Sequence, residues 1–135
     1  MSHYHAVVWI DHAEAHVMHI SPDDVESSVV RPKNPHQKLH HKRGMDNGGA
    51  VGSGRTPEDR DFYHDVVGAL KGAQEILIVG PANAKLNLVK HIHSHDAGMS
   101  NRVIGVESVD HPTDAQLVVY ARKYFTAADR MRPQQ

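Results

Sequence analysis

The sequence predicts one α/β domain: a mixed five-stranded sheet flanked by three helices. Three observations predict it. First, the chain begins with short runs rich in β-branched residues. Second, two short apolar runs occur in its second half. Third, segments with the apolar period of a helix lie between these two runs and after them. The expected order is β-β-β-α-β-α-β-α, antiparallel at first and parallel after the first helix, with right-handed crossovers. At 135 residues the chain fits one domain over 1–130, with a frayed tail at 131–135.

The first three strands are predicted from composition and turn signals. His5–Ile10 and Glu14–Ile20 form a hairpin across a short turn that contains Asp11, and Val25–Arg31 follows as a third strand. Trp9 alternates with Val7 on the first strand, so we expect it to pack in the core.

Capping residues and apolar stripes predict the remaining elements. A capping Thr, a Pro and two acids at Thr56–Asp59 start the first helix, and Gly72 ends it. A capping box at Thr113–Gln116 opens the last helix. The elements between them are a buried strand at Glu75–Val79, a helix from Pro81 to about Ser94, and a strand at Arg102–Val106.

A long basic loop at 32–56 joins the third strand to the first helix. Residues 31–57 carry six Lys and Arg against Asp46, a net of 6 − 1 = +5, which leaves −1 − 5 = −6 for the remainder. This asymmetry favours a local anionic partner over a coat of nucleic acid. A solvated insertion is the alternative, because the entropy of loop closure grows slowly with length.

Composition excludes several classes of function. The absence of cysteine excludes disulfides, thiolate metal sites and cysteine nucleophiles. The first residues lack the basic start and apolar run of a signal peptide, and no run approaches the length of a membrane span. We therefore expect a soluble, cytoplasmic protein with no membrane partner.

Two motifs carry a family resemblance. The basic run His40–Gly44 is followed by Gly48-Gly-Ala50, and Ile76–Lys85 combines an apolar strand, Gly-Pro and a Lys. In this order and spacing the chain resembles, over about residues 4–126, the middle domain of archaeal and eukaryotic class I peptide-chain release factors and of Pelota. The resemblance implies an RNase H-like, ribosomal-protein-like fold with a basic loop that ends in Gly-Gly-Gln.

The departures from that pattern change the implied function. Ala50 stands where the family has the glutamine that helps position water for peptidyl-tRNA hydrolysis, and a methyl group neither donates nor accepts a hydrogen bond. The domains that read stop codons and contact partner GTPases are missing from this sequence. The resemblance thus implies a non-catalytic protein that binds the ribosome or its rRNA or tRNA, in ribosome rescue or hibernation, without a cofactor. The predicted RNA-binding residues are Lys38, His40, His41, Lys42, Arg43, Gly48, Gly49, Arg55 and Lys85.

Thirteen histidines make a metal- or small-ligand-binding domain the alternative function. His91 and His95, at i and i+4, share one face of a helix, and His36, His40 and His41 would complete a set of nitrogen ligands. Solvated surface histidines are the competing interpretation.

Two other sites are open at this stage. A two-metal nuclease would need converging carboxylates, for which Asp11 and either Glu58 or Asp59 are candidates, although Asp11 fits a hairpin turn better. The second site is the start of the helix after the strand that ends in Gly-Pro, because a helix N-terminus can hold an anion. Lys85 lies in this segment, and we expect it to pair with either a neighbouring acid or RNA.

Overall fold

The structure, a computed structural model, describes residues 5–32 and 57–131, with side chains in the second range from 60 to 128. The strands are β1 His5–Ile10, β2 Ala15–Ile20, β3 Val25–Val30, β4 Glu75–Gly80 and β5 Val103–Ser108. The helices are α1 Pro57–Leu70, α2 Ala84–His95, α3 Ala97–Ser100 and α4 Asp114–Met131.

The five strands form one mixed sheet in the order β3-β2-β1-β4-β5. β1 pairs antiparallel with β2 and β2 with β3, while β4 pairs parallel with β1 and β5 with β4. The predicted mixed five-stranded sheet is therefore confirmed, with β1 at its centre. A central strand flanked on both sides must be apolar, which explains the almost wholly buried β1 and β4.

Helices cover both faces of the sheet. Alternate strand residues such as Val8 and Ile78 pack with α1, α2 and α3 in one core cluster. Their neighbours Val7 and Leu77 point to the opposite face and pack with α4 in the second cluster. Trp9 belongs to this second cluster, as predicted, and the helical stripes that include Phe62, Leu88 and Leu117 are buried.

The structure differs from the sequence prediction by one additional helix and at several element boundaries, most of them by one residue. The described residues contain four helices rather than three, because Asp96 accepts a hydrogen bond from the Met99 amide and starts the one-turn α3. α2 begins at Ala84 rather than Pro81, since residues 81–83 form a bend after β4. β5 runs to Ser108, because Ser108 still pairs with Gly80. No helix in the described ranges is long and apolar enough to cross a membrane.

Candidate functional site

The candidate site lies at one edge of the sheet, where several strands end. Ile10 pairs with Ala15, which pairs with Val30, and Gly80 pairs with Ser108. The carboxyl ends of β1, β3, β4 and β5 therefore share this edge, which we name the carboxyl edge. Ligands of open α/β sheets bind outside such an edge. The predicted basic loop leaves the sheet here, because it follows β3.

The basic loop itself lies outside the described residues. This applies to the predicted RNA-binding residues Lys38, His40, His41, Lys42, Arg43, Gly48, Gly49 and Arg55. Arg31, which precedes the loop, is described: its Nε donates to Oε1 of Glu14 at 3.2 Å, and 66% of its side chain is exposed. The start of the loop is thus anchored to the β1–β2 hairpin, whereas RNA binding by the loop stays a prediction.

Lys85 occupies an unexpected position for an RNA-binding residue. It lies in the first turn of α2, only 7% of it is exposed, and its Nζ donates to the Ala82 carbonyl at 2.5 Å. The bonded partner is a backbone oxygen, where the sequence suggested an acidic side chain or RNA. An RNA contact would require the ammonium group to leave this carbonyl, so Lys85 gains no support from its position.

The Gly-Pro segment before α2 is explained by packing. A Cβ on Gly80 would collide with the carbonyl oxygen of Ile10 on the neighbouring strand. At the start of α2, the side chain of the N-cap residue Asn83 makes no capping hydrogen bond, and its carbonyl accepts from the amides of Leu86 and Asn87. The glycine is therefore required by close strand approach rather than by an anion.

A small cavity at the carboxyl edge has no counterpart in the sequence prediction. Its volume is about 160 Å³, and it is lined by Trp9, Glu14, His16, His111, Pro112, Asp114 and Leu117. The indole Nε1 of Trp9 donates to the Asp110 carbonyl at 2.6 Å, which fixes the ring against the segment between β5 and α4. The capping box at Thr113 and Gln116 is confirmed and sets the start of α4 beside this cavity.

His16 lies between two carboxylates in this cavity. Its Nε2 is 2.8 Å from Oε2 of Glu14, and its Nδ1 is 3.1 Å from Oδ1 of Asp114. The hydrogen bond from His16 holds the pKa of Glu14 below its usual range; the charges of His16 and Arg31 act in the same direction, and burial opposes them. The arrangement joins the hairpin to the first residue of α4.

A second histidine, His111, lies on the other side of Trp9. Its Nδ1 is 3.0 Å from Oδ1 of Asp110, and its Nε2 is 4.0 Å from Oδ2 of Asp11. The ring centroids of Trp9 and His111 are 5.0 Å apart, and those of Trp9 and His16 are 5.8 Å apart. The indole is therefore flanked by two imidazole rings, each beside carboxylates.

The candidate metal histidines lie at a different place, between α1 and α2. The rings of His91 and His95 stack at 4.3 Å, and His64 of α1 is 6.4 Å from His91. They line a cavity of about 360 Å³ together with Lys71 and Asp96. Over residues 5–32 and 57–131, no three His, Cys, Asp or Glu side chains form a group that could hold a metal ion. His36, His40 and His41 lie outside those ranges, so the metal hypothesis stays a prediction.

Asp11 has the structural role that the sequence favoured over a nuclease role. Its Oδ1 accepts hydrogen bonds from the amides of Ala13 and Glu14, at 2.8 and 2.9 Å, and so closes the hairpin turn. The side chains of the other two nuclease candidates, Glu58 and Asp59, lie outside the described part of the chain.

Sequence comparison and structure comparison give different results. No protein-family model matches the chain. No curated protein matches it either. Solved structures do match its fold over most of its length.

Three of these structures are a Pelota protein and two proteins described as translation termination or termination-like factors. Pelota from Thermoplasma acidophilum matches with a TM-score of 0.59 and 20% identity, covering 88% of this chain and 31% of Pelota. Dom34 from S. cerevisiae, a translation termination-like factor involved in RNA quality control pathways and interacting with Hbs1, matches with a TM-score of 0.58 and 11% identity, covering 91% and 34%. The archaeal translation termination factor aRF1 matches with a TM-score of 0.50 and 15% identity, covering 94% and 38%.

These matches define the extent of the resemblance. The chain spans about a third of the length of Pelota and Dom34, so it corresponds to one part of those proteins. Identities of 11–20% establish a shared fold. The predicted resemblance is confirmed at that level: the chain has the fold of a segment shared by Pelota, Dom34 and archaeal aRF1.

Proposed function

We propose that this protein is a non-catalytic component of translation that binds ribosomal RNA or tRNA on the ribosome through the basic loop at 32–56. One observation carries the proposal: the fold likeness to Pelota, Dom34 and aRF1 covers 88–94% of the chain. Ribosome rescue or hibernation is the role that fits this likeness, and the cytoplasm is the compartment where such a role is performed.

The charge distribution supports the loop as the contact. Residues 31–57 carry a net charge of +5 and the remainder −6. At the carboxyl edge the described cavity is lined by the carboxylates of Glu14 and Asp114, which repel phosphate. The excess of positive charge in residues 31–57 therefore supports this segment as the contact for phosphate.

A salt series tests this contact. Replacing Lys42 and Arg43 by Ala removes two potential phosphate contacts, so the log–log dependence of RNA affinity on salt should become flatter by up to about two units. Lys90 and Lys123 are exposed on α2 and α4, and their double Ala variant removes the same charge outside the loop. We expect that control to keep the slope of the unmodified protein, in filter binding or sedimentation with ribosomes.

Two results would contradict the proposal. If the loop variant and the control flatten the slope equally, the whole surface rather than the loop attracts RNA. If neither variant changes affinity for ribosomes at any salt concentration, the loop is a solvated insertion. A metal-dependent interaction through histidine would instead respond mainly to pH and chelators.

The absence of hydrolysis is a separate prediction. Ala50 has no hydrogen-bonding side chain at the position of the family glutamine, so purified protein should not release peptide from ribosome-bound peptidyl-tRNA. The measurement is release of labelled peptide from stalled complexes, with the Gly48→Ala/Gly49→Ala variant as control. Release by the unmodified protein that this variant abolishes would show that the loop is catalytic despite Ala50.

A further inference from the structure

His16 has a carboxylate oxygen beside each of its two ring nitrogens. Oxygens of Glu14 and Asp114 lie within hydrogen-bond distance of its Nε2 and Nδ1, at 2.8 and 3.1 Å. A neutral imidazole has one N–H and one lone pair, so only the imidazolium ion donates to both carboxylates. In the neutral ring, one lone pair would face a carboxylate oxygen and repel it.

The two contacts differ in what they join. Glu14 lies two residues from His16, and Arg31 also contacts its carboxylate, so this contact stays within the β1–β2–β3 part of the sheet. Asp114 is the first residue of α4, 98 residues away in sequence, and 59% of its side chain is exposed. On deprotonation, we expect the shorter Glu14 contact to keep the remaining N–H and the Asp114 contact to break.

Charged groups lie near His16 on the side of the strands and on the side of α4. Glu14 and Arg31 belong to the hairpin side, and Asp114 belongs to α4. Across Trp9, Asp110 and Asp11 are near His111 rather than His16. His111 contacts its own neighbour Asp110 and the turn residue Asp11, so it is a second contact between the hairpin and the segment before α4.

We propose that His16 is a proton-dependent clamp that fastens the N-terminus of α4 to the β1–β2 hairpin and closes the cavity against Trp9. The clamp is closed while His16 is protonated and both carboxylates are ionised. It opens when His16 loses its proton as pH rises, and again at acid pH when the carboxylates are protonated.

Trp9 reports on the two histidine rings beside it, which matched variants separate. It is the only tryptophan among 135 residues, and His16 and His111 are the two histidine rings found against it in the described chain. Its indole N–H donates to Asp110 and gives one NMR signal. We therefore expect the indole resonance and the Trp9 fluorescence to change as the clamp opens, in a scan over about pH 5 to pH 8, where histidine side chains ordinarily change charge.

The clamp is tested with matched histidine variants over this pH range. His16→Gln should remove the part of the pH-dependent change that His111→Gln retains, whereas His12→Gln, at an exposed turn position, should leave the whole change. Loss of the transition in His111→Gln with retention in His16→Gln would overturn the proposal and assign the change to His111. An unchanged transition in His16→Gln would overturn it as well.

Hydrogen exchange in α4 supplies a second readout that does not depend on His16 variants. After correction for intrinsic rates, protection of the Leu117 amide, which donates to the Thr113 carbonyl, should fall by up to about fivefold as the clamp opens on raising the pH. Asp114→Asn should remove this pH dependence while the fold is retained. Equal protection at both ends of the range in the unmodified protein would refute the clamp.

Discussion

At the residue scale, close backbone approach determines which glycines are essential. Gly80 lies where β4 passes β1, and an added Cβ would meet the Ile10 carbonyl, a backbone atom that cannot rotate away. Gly68 lies on the exposed side of α1, and a Cβ there would meet nothing within 4 Å. The same substitution should therefore have opposite effects at the two positions.

We expect Gly80→Ala to lower the free energy of unfolding by about 1–3 kcal/mol, because the strands must separate to admit the methyl group. Gly68→Ala should raise it by about 0.5–1 kcal/mol, because alanine is the better helix former. Urea unfolding followed by circular dichroism measures both. A Gly80→Ala variant as stable as the unmodified protein would show that the two strands are not held at this spacing.

Residue-scale patterns also explain why the elements were predictable and the cavity was not. β1 and β4 are short and apolar, and Asp11 and the Thr113–Gln116 box supply local turn and cap signals, so neighbouring residues alone specify these features. The cavity joins Glu14 and His16 to Asp114, and the His16–Asp114 contact spans 98 positions. No local pattern encodes such a pairing, although alternation places Glu14 and His16 on the same side of the strand.

At the scale of elements, the hairpin and α4 share an electrostatic interface that depends on pH. Hydrogen bonding by His16 lowers the pKa of Glu14 from its ordinary 4.5 in the folded protein. A carboxyl group whose pKa is lower in the folded than in the unfolded protein stabilises the fold at pH values above the unfolded pKa. This stabilisation is lost as the pH falls through the folded pKa. Glu14 therefore contributes at neutral pH and loses its contribution on the acid side of about pH 4.5.

The Glu14→Gln variant should show this contribution directly. We expect its urea midpoint at pH 7 to lie below that of the unmodified protein and the difference to shrink between about pH 5 and pH 3. Asp23→Asn, at an exposed turn position, is the matched control and should follow the unmodified protein throughout. A difference that stays constant over the acid range would mean that Glu14 acts by packing and not through its charge.

Element boundaries show where local signals are insufficient. α3 is a single turn that contains Gly98, so neither length nor apolar period marks it, and only the Asp96 cap reveals it. The last two residues of β5, Glu107 and Ser108, are polar and are predicted from sequence to lie in a loop. Their pairing with Val79 and Gly80 extends the strand instead. Tertiary pairing therefore overrides local preference at the sheet edge.

At the scale of the whole molecule, the core and the proposed binding segment are separable. Both core clusters are assembled from the strands and helices on either side of the basic loop. The folded body has the net negative charge and the loop segment the positive charge, so stability and RNA affinity should respond to different changes.

Replacing residues 33–56 by about twelve Gly and Ser residues tests this separation. Halving a flexible loop changes its closure entropy by only about 0.6 kcal/mol, so the free energy of unfolding should stay within about 1 kcal/mol of the unmodified value. The same replacement removes Lys33, Lys38, Lys42, Arg43 and Arg55, so ribosome co-sedimentation at low salt should be lost.

A second replacement of equal length that keeps five Lys or Arg residues should restore part of the binding, because the proposed contact depends on phosphate charge rather than on the bases. If the uncharged replacement still co-sediments with ribosomes, the folded body itself carries the contact, and the carboxyl edge becomes the surface to mutate.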